Sequence, residues 1–168
     1  MTGRPALWRA MAAAHLPAVH ALSMRAHPGY PERAEVLAEK FRLYRRGCFV
    51  LTRGQETCGY CFSHPWAKGL VPALDGFLGQ LPDAPTTYYV HDLTIDEAVR
   101  GQGQGRAVLP LLLEAARTAG LDHLSLVAVN RREPFWRAAG FVPSADKALQ
   151  AAARAKYDAG AVHMERKL

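Results

Sequence analysis

The chain has 168 residues, 49% hydrophobic and 21% charged, enough for one domain with a real apolar core and the make-up of an ordinary soluble globular protein. No run approaches the roughly 18–20 apolar residues of a membrane span. The net charge of +6 is scattered arginine with no clustered basic stripe, which argues against a nucleic-acid partner and leaves room for an anionic ligand.

Met1 to Leu22 imitates an export leader, but Arg9, His15, Pro17 and His20 interrupt the apolar run and no cleavage site stands out. A cytoplasmic protein is expected. Leu7 to Met11 reads as a short strand. Leu16 to Ala26 and Glu32 to Arg46 read as helices, the second stopped by Gly47. Cys48 to Thr52 and Thr57 to Ser63 are β-rich and joined by Arg-Gly-Gln-Glu, a hairpin. Cys58 and Cys61 have a CxxC spacing, but residues three apart on a strand point to opposite faces. With Cys48 the third thiol, neither a redox pair nor a metal site is expected.

His64 to Pro85, rich in proline and glycine, reads as a long loop with one helical turn at Leu74 to Leu78. Thr86 to Ile95 is a strand. Gly69 to Val99 contains no Lys or Arg, yet holds Asp75, Asp83, Asp92, Asp96 and Glu97. Arg100-Gly-Gln-Gly-Gln-Gly105 follows at once. A helix start offers unpaired N–H groups and the positive end of the macrodipole, and glycines strip side chains from it, so an anion belongs there.

Arg106 to Ala119 carries Leu109, Leu112, Leu113 and Ala116 as an apolar stripe, with Pro110 predicting a kink or a displaced start. Gly120 ends it. His123 to Asn130 is a buried strand, Glu133 to Ala139 a short helix stopped by Gly140, and Phe141-Val142 a strand. Asp146 to Tyr157 is a helix and Ala161 to Lys167 a last strand. Strand, glycine turn, helix, strand is a βαβ unit, so part of the sheet is parallel.

Two phosphate loops fail here. A P-loop needs a Lys after its glycines; a dinucleotide fingerprint needs an acidic residue about 20 positions on. Neither is present. Arg100-x-x-Gly103-x-Gly105 instead resembles the acyl-CoA loop of the GNAT N-acetyltransferase superfamily. The order Leu93-Thr94-Ile95, the loop, a long helix, Leu124 to Asn130, Phe135-Trp136 and Gly140-Phe141 resembles that family along nearly the whole chain, read as a single domain over 1–168.

The resemblance implies an α/β fold: a mixed, mostly antiparallel sheet with helices on both faces and a splay between two central parallel strands. It implies acetyl-CoA as donor. Its diphosphate would meet main-chain N–H groups around Gly101, Gln102, Gly103, Gln104, Gly105 and Arg106. Its pantetheine would run beside Leu93, Thr94 and Ile95, with Asn130, Phe135 and Trp136 alongside. Asn130 otherwise caps the next helix, and Arg100 either touches phosphate or only flanks the loop.

Acetyl transfer needs a group to take the amine's proton. His91 has the matched pKa, and strict alternation puts it on the face of Leu93 and Ile95. The His-Asp-Leu-Thr-Ile segment also resembles arylalkylamine N-acetyltransferases, whose base His lies at that place. A bulge would instead bring in Asp92. Many relatives place a Tyr where this chain has Trp136, so the departing sulfur is left to water, to Tyr88, Tyr89 or Tyr157, or to the amine's own proton. Trp66, Asp75 and Tyr89 are expected at the acceptor. That acceptor is a small, cationic amine; a protein N-terminus or Lys, and a non-catalytic acyl-CoA-binding domain, are the rivals. The alanine-rich helix at Asp146 to Tyr157 offers a homodimer face.

Overall fold

The computed structural model describes residues 4–168. The expectation of one domain over 1–168 therefore lies outside the described residues at its first three positions, as does the very start of the leader-like segment. No helix of the described residues is long and apolar enough to cross a membrane.

The strands are β1 (Leu7–Ala10), β2 (Cys48–Arg53), β3 (Glu56–Trp66), β4 (Thr87–Ile95), β5 (His123–Ala128), β6 (Val142–Pro143) and β7 (Val162–Lys167), in the sheet order β1-β2-β3-β4-β5-β7-β6. The β4–β5 pair is parallel; the rest are antiparallel. Helices α1 (Leu16–Ala26) and α2 (Ala34–Leu43) cover one face. Val19, Leu22, Leu37 and Phe41 pack there on Val50, Tyr60 and Phe62. Helices α3 (Gln104–Ala107), α4 (Leu109–Thr118) and α5 (Glu133–Ala138) belong to the other, where Leu112, Ala116 and Trp136 meet Tyr88, Val90, Leu124 and Leu126. A substitution such as Leu112→Ala would cost about 2–5 kcal/mol through the cavity left behind. Helix α6 (Lys147–Lys156) is capped by the Asp146 carboxylate, which accepts from the Ala148 and Leu149 N–H groups.

The displaced start expected from Pro110 is present: the helix after the glycines is interrupted at Val108 and restarts at Leu109, so Pro110 falls in the first turn of α4, where its missing N–H costs nothing. Other expectations are corrected. Leu74 to Leu78 forms no helical turn beyond a bend closed by Gly76 N–H on the Ala73 carbonyl. The second helix stops at Leu43, and His123's strand ends at Ala128.

The largest change is at β3, which runs on through His64, Pro65 and Trp66. Proline is tolerated in this strand because β2 pairs with it only as far as Cys48–Phe62. Beyond Phe62, β3 has a neighbour on one side alone, and the missing N–H of Pro65 faces the open side.

Candidate active site

β4 and β5 pair only at Tyr88–Leu124, Tyr89–Ser125 and Val90–Leu126, then part. Which main-chain groups the parting exposes follows from the other neighbour. Asp96 N–H donates to the Cys58 carbonyl, which makes Gly59–Ile95 a pair that exchanges no hydrogen bonds; two residues back, Cys61–Leu93 is another. The N–H and C=O groups of Leu93 and Ile95 therefore point away from β3, into the gap. Thr94 bonds to β3 instead. Arg100 Nε reaches one of these exposed groups, the Ile95 carbonyl, at 3.3 Å.

Gly101 and Gly103 at the end of the gap have φ of 75° and 78°, values that a side chain resists. They turn the chain into α3 so that, among the described residues, no backbone carbonyl accepts from the N–H groups of Gln102, Gly103, Gln104 or Gly105. The loop is fixed from behind by contacts that the sequence did not announce. Trp8 Nε1 donates to the Gln104 carbonyl at 2.9 Å, and Gln104 Nε2 donates to the Ala6 carbonyl at 3.2 Å.

A cavity of about 440 Å³ runs through the parting. On the α4 side its wall includes Leu93, Ile95, Arg100, Gly105, Asn130, Phe135 and Trp136. Gly101, Gln102, Gly103, Gln104 and Arg106 sit at its end without lining it. Asn130 has a φ of 53° and makes no cap on α5, whose first turn receives no side-chain hydrogen bond; it lines the cavity instead. On the α1 side the wall includes His27, Tyr30, Glu32, Tyr60, His91, Asp92, Thr94 and Tyr157.

His91 reaches that wall because β4 carries a bulge. Ser63 pairs with Val90 and Phe62 with Asp92, leaving His91 as the extra residue. Val90 packs towards α4, whereas Asp92 accepts from the Tyr60 hydroxyl on the α1 side. The bulge thus breaks the alternation. His91 does not share the face of Leu93 and Ile95; it stands with Asp92 on the opposite one.

The two differ in readiness. Asp92 accepts from Tyr60 Oη at 2.7 Å on one oxygen and from Thr94 Oγ1 at 2.9 Å on the other. Thr94 in turn is met by His27 Nε2 at 2.6 Å. Burial, then Lys40 and His64, hold the His91 pKa well below the ordinary imidazole value, so the ring is neutral at pH 7.

Glu32 forms a buried pair with Lys40 at 3.4 Å, and burial raises its pKa despite the lysine. Tyr157 also lines the cavity; its hydroxyl lies 3.4 Å from the Pro72 carbonyl, and burial pushes its pKa above the ordinary phenol value. Tyr88 is engaged with Ser63 on the other face, and neither it nor Tyr89 lines the cavity.

Three residues expected at the acceptor do not line the cavity. Trp66 packs edge-on against His64, Tyr89 is buried against both His64 and His91, and Asp75 clamps the Arg33 side chain and N–H. The wall residues that sequence reading missed, His27, Tyr30, Glu32 and Tyr60, come mostly from the α1–α2 connection. No motif marks them. The three cysteines are free and buried, with burial pushing Cys48 up to about 12. No metal-holding cluster exists among the described residues.

A seven-stranded mixed sheet whose parallel pair parts over a glycine turn is the architecture of an acyl-group transferase fold. The chain belongs to the acetyltransferase (GNAT) family, whose sequence model matches residues 16–141. Among solved structures it is similar to the loading GNATL domain of CurA from Lyngbya majuscula, at 12% identity over 98% of both chains with a TM-score of 0.78. It is similar to the GphF GNAT-like decarboxylase in complex with isobutyryl-CoA, at 20% identity over 96% of this chain and 98% of that one, TM-score 0.74. The ribosomal-protein-S18-alanine N-acetyltransferase from Escherichia coli matches at 16% identity over 97% and 94%, TM-score 0.67. No protein of curated function is matched by the sequence.

Proposed function

We infer that the protein is an acetyl-CoA-dependent N-acetyltransferase that passes the acetyl group directly to the amine of a small, cationic acceptor. One observation carries this reading: the exposed main-chain edge at Leu93 and Ile95 opens on the same cavity as neutral His91, from the opposite side of the sheet. The pantetheine arm adds to that edge as an extra strand would. The free N–H groups of Gln102 to Gly105 receive the diphosphate, Asn130 reaches the arm, and Phe135 and Trp136 wall it in.

The ammonium of the acceptor gives one proton to His91. The amine nitrogen then bonds to the thioester carbonyl carbon, polarised by the Leu93 N–H, and the carbon–sulfur bond breaks. The second amine proton ends on the sulfur. Tyr157, held protonated by its burial, steadies that sulfur with a hydrogen bond. Asp92, with both oxygens already receiving hydroxyl protons, serves with Glu32 as negative charge that draws in a cation. Trp66 and Tyr89 act as the wall behind the two histidines, and Asp75 as the loop's fastening.

A small acceptor is favoured over a protein N-terminus because residues 67–86 are tied down over this end. Lys156 Nζ donates to the Val71 carbonyl and Tyr157 lies against Pro72. The test is acetyl-CoA turnover with a panel of small amines and diamines against peptides. Turnover on cationic small amines is expected. Preference for peptides would support the protein-acetylating reading, and acetyl-CoA binding with no turnover on any amine would support a non-catalytic domain.

A further inference from the structure

His64 is 2% exposed, on β3, with its ring centroid 5.6 Å from that of His91. Its Nδ1 lies 2.9 Å from the Pro65 carbonyl oxygen. A carbonyl only accepts, so Nδ1 carries the hydrogen. Burial lowers the His64 pKa to about 4, so near pH 7 the ring holds one hydrogen and Nε2 is a bare lone pair. That lone pair faces His91 Nδ1 at 3.5 Å. Two lone pairs do not face each other, so His91 Nδ1 is the donor. His91 is neutral as well, which leaves its Nε2 without hydrogen. Among the described residues nothing hydrogen-bonds that atom, and the ring lines the cavity.

We propose that His64 is a positioning residue that, anchored on the Pro65 carbonyl, holds His91 in the Nδ1–H tautomer and so leaves His91 Nε2 bare to receive the acceptor's proton. The contacts run in series: the carbonyl of Pro65 orients the first ring, and the first ring orients the second. Free imidazole side chains in water favour the opposite tautomer, so this arrangement needs a partner to impose it. When the proton arrives at Nε2, the Nδ1–H bond to His64 persists, and the proton later leaves from Nε2 to solvent. The other groups around the pair are Lys40 from α2, Tyr89 and Asp92 from β4, and Tyr157 after α6. None is placed to donate to His91 Nδ1 or to accept from it in place of His64.

This inference rests on the acetyl-transfer reading for its consequence, though not for its geometry. The experiment is nitrogen NMR of the full chain carrying labelled histidine, with kinetics on the best amine acceptor. In the unaltered protein His91 is expected with hydrogen on Nδ1 and none on Nε2. In His64→Ala the tautomers redistribute towards Nε2–H, and kcat falls on the order of 10- to 100-fold with little change in KM for the amine. His64→Gln, whose amide oxygen can accept from Nδ1–H, restores the tautomer and most of kcat. Hydrogen on His91 Nε2 in the unaltered protein would overturn the proposal, as would an unchanged tautomer in a folded His64→Ala. Should His64→Ala fail to fold, the unaltered protein and His64→Gln still decide. A correct tautomer combined with full activity of His91→Ala would remove the base role and leave the positioning geometry standing.

Discussion

Phe135 packs so closely on Gly105 that a Cβ there would lie 3.0 Å from Cε2 and 3.1 Å from Cζ of the ring. The first turn of α3 is thereby pressed against the aromatic wall of the cavity. Gly105→Ala is expected to push Phe135 or the loop aside and raise the Kd for acetyl-CoA about 10-fold. Gly105→Ala with Phe135→Leu should recover much of that loss. Titration calorimetry of both proteins with the donor checks it.

Gly103 poses the opposite case. A Cβ there meets nothing within 4 Å, but the φ of 78° is left-handed, so Gly103→Ala costs about 1 kcal/mol of strain. Gly103→Glu adds a carboxylate beside N–H groups proposed to hold a diphosphate. Donor binding should vanish in Gly103→Glu and survive, weakened, in Gly103→Ala; equal affinity in the two would remove the loop from donor binding.

His91→Ala should lower kcat on a good amine by about 10²- to 10⁴-fold. Because burial keeps the His91 pKa well below 6.5, the fall of kcat on acidification belongs to pH values below that point, not around neutrality. A pH–rate profile with its acid limb centred at or above 6.5 would speak against His91 as the base.

Lys40 and Glu32 are 2% and 8% exposed and 3.4 Å apart. Lys40→Met leaves a carboxylate buried without its partner and should destabilise the fold by about 3–5 kcal/mol. Lys40→Met with Glu32→Gln should regain most of it. Urea unfolding of the single and double variants measures both.

Acid should weaken the fold through His64. Its folded pKa is lowered from 6.5 to about 4, so the unfolded chain binds the proton first as pH falls. The stability from a neutral buried ring is complete above about 6.5 and is lost as pH drops towards 4, by about 3 kcal/mol across that window. His64→Gln should flatten this part of the stability profile. His91, lowered in the same direction, adds to the slope and remains in that variant.

The parallel pair, the glycine turn and the apolar stripe of α4 were legible because each rests on local chemistry: left-handed glycines, a 3.6-residue period, a run of β-branched and apolar residues. The proposed donor half of the site, Leu93 to Gly105 with Asn130, lies inside that same continuous segment. The acceptor half was not legible. The bulge at His91 arises from a mismatch between two strands whose register no single segment encodes. Asp75 looked like a free loop acid, yet its partner Arg33 lies 42 residues away. His64 and Trp66 were read as loop because Pro65 argues against a strand, and only the early end of β2 removes that objection.

The gap between β4 and β5 is open to both faces of the sheet. Donor and acceptor can thus arrive by separate doors, and neither must leave before the other enters. Cys61, paired with Leu93 across β3 and β4, is sealed and held protonated by burial, so it offers no thiolate to intercept the acetyl group in the proposed direct transfer. Initial-rate lines measured at several fixed donor concentrations should therefore converge on a common point instead of running parallel.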